Sequence, residues 1–364
     1  MNNHNYGRFL PDAIESALRQ SHAHTEVVVV DDGSYDNSRD VISWYGNSVR
    51  AIFKENGGQG SAFNAGLEGS TGDVVLFLDA DDVLLSTAAS RAAQSLCNPE
   101  VVKVHWRSRV IDESGRATGA LRPGGPLPEG DLREAAFRLG PTNHLSAPTS
   151  GNAWSRHFLD CIFPVPEVFT QGADTYLFEL APFFGPVKRV DEPQTLYRKH
   201  GRNFHSLMSL DYKIERQLRF YEACCAFLQG YWADIGIQVD RGSWVRHSWW
   251  HRLDLAVREI AALSAPPGPL IVVDDASWEV GPIAGRARIP FLERGGEYYG
   301  SPSDDNTAIY ELERLRRSGA ALVVFAWSAL WWLGHYGEFH SHLRSHYACL
   351  LENDRIVVFE LLSS

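Results

Sequence analysis

Apolar positions recur with two different periods along the first part of this chain. In "YGRFLPDAIESALRQ" (6–20), Leu10, Ile14, Ala17 and Leu18 share one helical face, with Pro11 tolerable in a first turn, so the spacing predicts an amphipathic helix. In "EVVVVDDGSYDNS" (26–38) the run Val27 to Val30 is too uniform for a strand with one wet face, and predicts a parallel strand covered on both sides. Asp36, Asn37 or Ser38 can cap a following helix. A further apolar run, "DVVLFLDADDVL" (73–84), is built the same way and also ends in acids. Alternating strands and helices of this kind predict a doubly wound, mainly parallel α/β domain.

Beyond residue 203 the pattern changes. Residues 205–263 read as helical, with one long helix over 210–229 and another over 244–263, and "SAPPGP" (264–269) reads as a linker. The remainder predicts a strand over 270–273, a helix over 306–317, a strand over 321–326, a helix over 330–346 and a strand over 355–361. The expected organisation is therefore an α/β domain over 1–203, a helical extension over 204–264 and a small α/β domain over 265–364. "GALRPGGPLP" (119–128) reads as a flexible surface loop.

With 364 residues, 44% hydrophobic, the chain can bury the cores of two domains. Its net charge of −11 argues against a nucleic-acid partner, and a phosphate ligand would need a metal or local cations to offset repulsion. The five cysteines form no CxxC pair, which fits a reducing, cytoplasmic compartment. "MNNHNYGRFLP" has neither the basic nor the apolar region of a signal peptide. "GAALVVFAWSALWWLG" (319–334) is shorter than the roughly 20 residues a spanning helix needs, and reads as a buried strand running into a tryptophan-rich helix; peripheral membrane contact remains compatible with it.

In doubly wound sheets ligands bind beyond the carboxyl ends of the strands. Asp31 and Asp32 end one strand, and Asp79, Asp81 and Asp82 end another. Clustered hard oxygen ligands suit Mg²⁺ or Mn²⁺, which can neutralise a diphosphate; the bland alternative is a solvated turn with a helix cap. Between them "ENGGQGSAFNAGL" (55–67) offers Gly57 and Gly58 for close backbone approach ahead of a helix N-terminus, or is simply a turn.

The order of "NYGRFLPDAIESALRQ", "EVVVVDDGSYDNS", "NGGQGSAFNAGL" and "GDVVLFLDADD" resembles the family 2 glycosyltransferases of the GT-A fold, over about residues 5–203. The resemblance implies an inverting transferase moving a sugar from a nucleotide-diphosphate-sugar to a glycan or lipid-linked acceptor of cell-surface polysaccharide, with Mg²⁺ or Mn²⁺. It implies that Asp31, Asp32, Gly57, Gly58, Asn64, Asp79 and Arg198 meet the nucleotide-sugar, that 79–81 form the DXD motif, and that Asp81, Asp82 and His200 hold the metal. Within "TQGADTYLFELAPFFGPV" (170–187) it assigns the catalytic base to Asp174; Glu179 is a rival one turn on, and a helix cap is the plain reading of Asp174. Arg198 and Arg202 of "LYRKHGRN" can offset diphosphate charge.

Two departures stand out. The family opens with an apolar strand before "NYGRF", whereas here only "MNNH" precedes it, so a central strand of the sheet is expected to be missing, by a start assigned too far downstream or by truncation. Phe63 stands where many members carry an arginine. An inactive binding protein and a sugar nucleotidyltransferase are the alternative readings. Residues 270–361 resemble a small α/β domain appended to some bacterial glycosyltransferases, a likeness carried by "SALWWLGHYGEFHSHL". There Trp331 and Trp332 are a sugar-stacking platform or core; His335, His340, His342 and His346 read as a solvated face; and Asp274 and Asp275 read as a capping turn.

Overall fold

The computed structural model describes residues 1–141, 145–201, 209–233, 236, 238–275, 277–278 and 281–362. Asn2–Asn3 (β1) pairs in parallel with Val28–Asp32 (β2), which pairs in parallel with Arg50–Lys54 (β3), giving the order β1-β2-β3. All five residues of β2 are buried, as its uniform valines require. Leu10–Leu18 (α1), Ser38–Trp44 (α2) and Gly58–Glu68 (α3) accompany these strands; Leu10 and Ile14 of α1 pack with Val29, and Ala62 of α3 packs with Val28 and Val30.

The place in which a central strand was expected to be missing is held in part by β1. Asn2 faces Val30 on one side and forms a parallel bridge to Asp79 on the other, its N–H donating to Leu78 O. Alongside Met1, between Val27–Val28 and Val74–Leu78, lies a cavity of about 700 Å³ walled also by Ala62 and Phe63. The acidic run is therefore not one strand. Val74–Val75 (β4) and Val83–Leu84 (β5) are its only strand segments, because β1 offers partners to Leu78 and Asp79 alone.

Ala88–Ser95 (α4) leads to Lys103–Ile111 (β6) and Ala117–Arg122 (β7), so the loop expected from residue 119 begins as a strand paired with β6. Arg133–Leu139 (α5), Asn152–Ser155 (β8), Arg156–Ile162 (α6), Ala173–Phe184 (α7) and Val187–Arg198 (β9) complete a second sheet of order β4-β8-β6-β9-β5. Only β6 and β9 run parallel in it. The architecture is mixed α/β, with a fully parallel sheet and a mixed one.

Leu210–Ala233 (α8), Arg241–His247 (α9) and Trp249–Ala261 (α10) follow; the second helix expected over 244–263 is broken at Ser248, whose ψ of 122° is extended. The chain divides into two units: Met1–Leu207 with Leu218–Ser248, and Met208–Gln217 with Trp249–Ser364. The stretch expected to form a separate helical extension is thus shared between them. Phe220, Tyr221, Cys224, Trp232 and Trp244 are buried with Phe169, and with Tyr176 and Leu180 of α7, in the core of the first unit. Each such side chain contributes about 1.5–3 kcal/mol relative to exposure.

In the second unit Leu270–Val273 (β10), Arg288–Pro290 (β11), Leu322–Ala326 (β14) and the strands Ala348–Glu352 (β15) and Ile356–Glu360 (β16) form a sheet of order β11-β10-β14-β16-β15, with Glu293–Arg294 (β12) and Glu297–Tyr298 (β13) as a separate hairpin. Asp305–Arg317 (α11), Trp331–His335 (α12) and Gly337–His346 (α13) pack on it through Leu312, Trp332 and Phe339. No helix among the described residues is long and apolar enough to cross a membrane.

Candidate functional site

The acids meet where β1, the acidic run and the N-terminus of α7 converge. One oxygen each of Asp79, Asp81 and Asp82 can be chosen so that all lie within 4.8 Å of one another. Burial, with this crowding, raises the carboxyl pKa values of Asp79 and Asp82. Asp79 is pushed up to about 7 by burial first, then by the charges of Asp81 and Asp174. Asp82, 1% exposed, is held well above the usual carboxylate range by burial, Asp81 and Asp79. Three crowded carboxylates, two of them buried enough to resist ionisation, are a donor set that a hard divalent cation fits.

The cluster is braced from four directions. Asn2 Nδ2 donates to Asp79 Oδ1 at 3.0 Å, and the Asp79 N–H donates to Ser150 Oγ at 3.1 Å. Ser150 O in turn accepts from Thr195 Oγ1 at 2.8 Å, which accepts from Trp106 Nε1 at 2.7 Å. Asp82 Oδ1 accepts the Arg198 N–H at 2.9 Å. His200 Nε2 lies 2.9 Å from Asp81 Oδ2, its ring against Phe9 and Tyr6 with centroids 5.1 and 5.7 Å away.

Asp174 stands in the first turn of α7, after Gly172 in the left-handed conformation (φ 85°). Its Oδ2 accepts from Thr149 Oγ1 at 2.8 Å and its Oδ1 from the Thr175 N–H at 2.9 Å. Its charge is felt at Asp79, so the structure brings the candidate base and the acid cluster into one site. Glu179, farther along α7, is only 5% exposed and acts on Lys103 instead.

Other expected residues make hydrogen bonds within the fold. Asp31 accepts from Asn3 Nδ2 (3.0 Å), Ser34 N (3.2 Å) and Arg39 Nε (3.1 Å). Asp32 accepts from Lys54 Nζ (2.6 Å), Gly57 N (3.0 Å) and Gly58 N (2.7 Å), so it anchors the glycine turn. Gly58 has φ 82°, and a Cβ there would lie 2.2 Å from Thr170 O. Both ends of the Asn64 amide are spent on the Val165 backbone, at 2.8 and 3.1 Å. Arg198 is 3% exposed, donating to Asp81 O (2.9 Å) and Asp12 Oδ2 (2.8 Å) over the Phe9 ring. Phe63 stacks on Phe77 with centroids 4.0 Å apart. Arg202 lies outside the described residues.

Sequence reasoning missed Gln59, which joins the parts. Its Oε1 accepts from Gly172 N and Ala173 N, each at 2.9 Å, while its Nε2 reaches Asp79 Oδ1 at 3.4 Å. It also missed Thr149, Ser150 and Lys103. The lysine was detectable as a lone charge in the apolar "VVKVHW"; the two hydroxyls carried no signal. Lys103 is fully buried, donates to Ser146 Oγ at 2.6 Å, and has its pKa brought down to about 7 by burial against the opposing pull of Glu179 and Asp174.

Residues 1–163 match the model of glycosyl transferase family 2. An uncharacterized glycosyltransferase of Nostoc sp. is 38% identical over 210 residues, 56% of this chain and 65% of that protein. One of Rickettsia felis is 33% identical over 37% of this chain, which spans only 23% of it. Among solved structures, residues 1–349 of Staphylococcus aureus TarS in complex with UDP-GlcNAc are similar with a TM-score of 0.43 and 16% identity, over 72% of this chain and 82% of that one.

Proposed function

We propose that this chain, whose residues 1–163 are a glycosyl transferase family 2 domain, transfers a sugar from a nucleotide-diphosphate-sugar to a hydroxyl acceptor with inversion at the anomeric carbon. The observation that carries the reading is the convergence of Asp174 with Asp79, Asp81 and Asp82.

Asp79, Asp81 and Asp82, with His200 beside Asp81, are the residues that would hold Mg²⁺ or Mn²⁺. Bound there, the cation would offset the charge of the departing nucleoside diphosphate. Asp174 takes the proton of the acceptor hydroxyl as its oxygen attacks the anomeric carbon in line. Thr149 fixes the rotamer of that carboxylate through Oδ2, at the N-terminus of α7. Gln59 keeps the distance between α7 and Asp79 constant. Asp31 and Asp32 shape the nucleotide end by fixing Asn3 and the glycine turn.

A glycan or lipid-linked chain of cell-surface polysaccharide is the acceptor class we assign, with the protein acting on the cytoplasmic side, where peripheral contact with the membrane would meet such an acceptor. The resemblance to the family supports both assignments. The test is release of nucleoside diphosphate from a panel of UDP-, GDP- and dTDP-sugars with and without Mn²⁺. Asp81→Ala should abolish the metal-dependent release, and Asp174→Asn should lose turnover while keeping donor binding. Turnover undiminished in both variants overturns the assignment.

A further inference from the structure

The two neighbouring acids at the end of β10 have different fates. Asp274 is fully buried and bidentate to Arg288, with Nη2 at 2.9 and 3.1 Å from its oxygens, and it accepts the Trp278 N–H at 2.7 Å. That is the capping turn its sequence implies. Asp275 is different. Its backbone is left-handed (φ 50°), and its carboxylate is met only by neutral donors: Trp331 Nε1 at 2.8 Å on Oδ2, and Trp332 Nε1 at 3.1 Å and Tyr298 OH at 3.3 Å on Oδ1. Among the described residues no cation lies at ion-pair distance from it.

Its place in the sheet is informative. From β10 the chain passes to β11 on one side and then, through α11, to β14 on the other, all three strands parallel. Strand order therefore reverses at β10, and the region beyond the carboxyl ends of β10 and β14 is the position at which open parallel sheets bind ligands. Asp275 follows β10, and Trp331 and Trp332 follow β14. A left-handed non-glycine residue at such a point is strain of the kind that functional sites retain.

The remaining valences define the ligand. A carboxylate offers about four lone-pair positions, and three are used here, leaving one acceptor. Trp332 is fully buried, whereas Trp331 is 47% exposed. With its N–H committed to Asp275, Trp331 can offer a ligand only its ring face, held in one orientation. A rigid aromatic face beside a single acceptor suits a molecule that presents a patch of C–H bonds and an adjacent hydroxyl. An organic cation would also value the π face, but the carboxylate is already stabilised by three neutral donors.

We propose that this end of the sheet is a saccharide-binding site, with the exposed part of the Trp331 ring stacking on a sugar ring and Asp275 accepting one of its hydroxyls. It does not depend on the reaction assigned to the first unit. The test is ligand-observed saturation-transfer NMR and calorimetry on the full chain with maltotriose, cellotriose, tri-N-acetylchitotriose and mannotriose, with choline chloride as the cationic competitor. At least one trisaccharide should bind saturably, about tenfold more weakly in Trp331→Ala, a loss of ~1.4 kcal/mol. Trp331→Phe should keep most of the affinity. Asp275→Asn, which tolerates the left-handed backbone, should weaken it while melting near the wild-type temperature. Binding of none of the four overturns the proposal, as does binding that survives Trp331→Ala or is lost with Asp81→Ala. Choline binding that requires Trp331 replaces the saccharide with a cation.

Discussion

His200 Nε2 lies 2.9 Å from Asp81 Oδ2 with its side chain only 2% exposed, so the imidazole adjoins the acid cluster while Phe9 and Tyr6 shut it from water. A partner fixed in this way orients the carboxylate that a metal would use. His200→Ala should weaken Mn²⁺ binding by about tenfold to a hundredfold, the usual cost of losing such a neighbour. Titration of Mn²⁺ followed by electron paramagnetic resonance checks this, and unchanged affinity would show that His200 only packs.

Metal and pH should act on stability in opposite directions. Asp79 is pushed up to about 7 in the fold from the usual value near 3.8, so the stability it contributes is complete below pH ~4 and is lost as pH rises through 7. In EDTA, the melting temperature should fall between pH 5 and pH 8 relative to Asp79→Asn, in which that carboxyl is absent. Saturating Mn²⁺ should raise it most at pH 8, since the ion binds ionised carboxylates. Parallel pH profiles for the two proteins in EDTA would refute the assigned shift.

Lys103 predicts a second pH dependence, with its own sign. Its folded pKa near 7 lies below the ordinary 10.5, so the unfolded chain binds more protons between those values and stability rises with pH across that window. Lys103→Met should flatten the profile between pH 7 and 10 in denaturant titrations. A difference between the two proteins that is constant with pH would mean that the lysine is fully charged in the fold.

Asn64 should prove a structural residue. Its amide brackets the Val165 backbone on both sides, and Asn64→Leu leaves a buried donor and acceptor there without partners, at a cost of about 1–3 kcal/mol. Donor affinity of the folded variant, measured by calorimetry, should stay within about twofold of wild type. A large loss of affinity at unchanged stability would return Asn64 to the nucleotide.

Gly58→Ala should damage fold and activity together. The new Cβ would meet Thr170 O at 2.2 Å from a backbone at φ 82°, and Thr170 lies just before the turn that presents Asp174. We expect a loss of about 2–3 kcal/mol in chemical denaturation and a fall in turnover of the folded protein. Gly46→Ala, at φ 50° but with nothing within 4 Å, should cost less and leave turnover alone.

Much of this was legible because burial was written into composition. The valines of β2 name a buried parallel strand and the apolar runs of β10 and β14 name further strands, and the structure has them within a residue or two. The acidic run misled because its strand character depends on a neighbour, and β1 reaches only Leu78 and Asp79. The strand β6 was hidden by Lys103, His105 and Ser108, polar yet buried; Lys103 and His105 find their partners in the distant Ser146 and Pro128. At the site, carboxylates crowded in sequence could be recognised. What each does could not, since Asp32 binds backbone N–H groups 25 and 26 residues away, and Gln59 meets α7 more than a hundred residues on.

The few contacts between Asn2 and the acidic run have a kinetic consequence. Asn2 ties Leu78 to the parallel sheet by one backbone hydrogen bond and Asp79 by one side-chain hydrogen bond, and a cavity of about 700 Å³ lies alongside. So few contacts hold this corner that it should open far more often than the core of β2, in a local fluctuation that leaves the rest of the unit folded. Each opening would uncouple Asp79 from Asp81 and Asp82. The exchange rate of the Asn2 amide hydrogen then becomes a clock for how long the acid cluster stays assembled, and a bound cation should slow it.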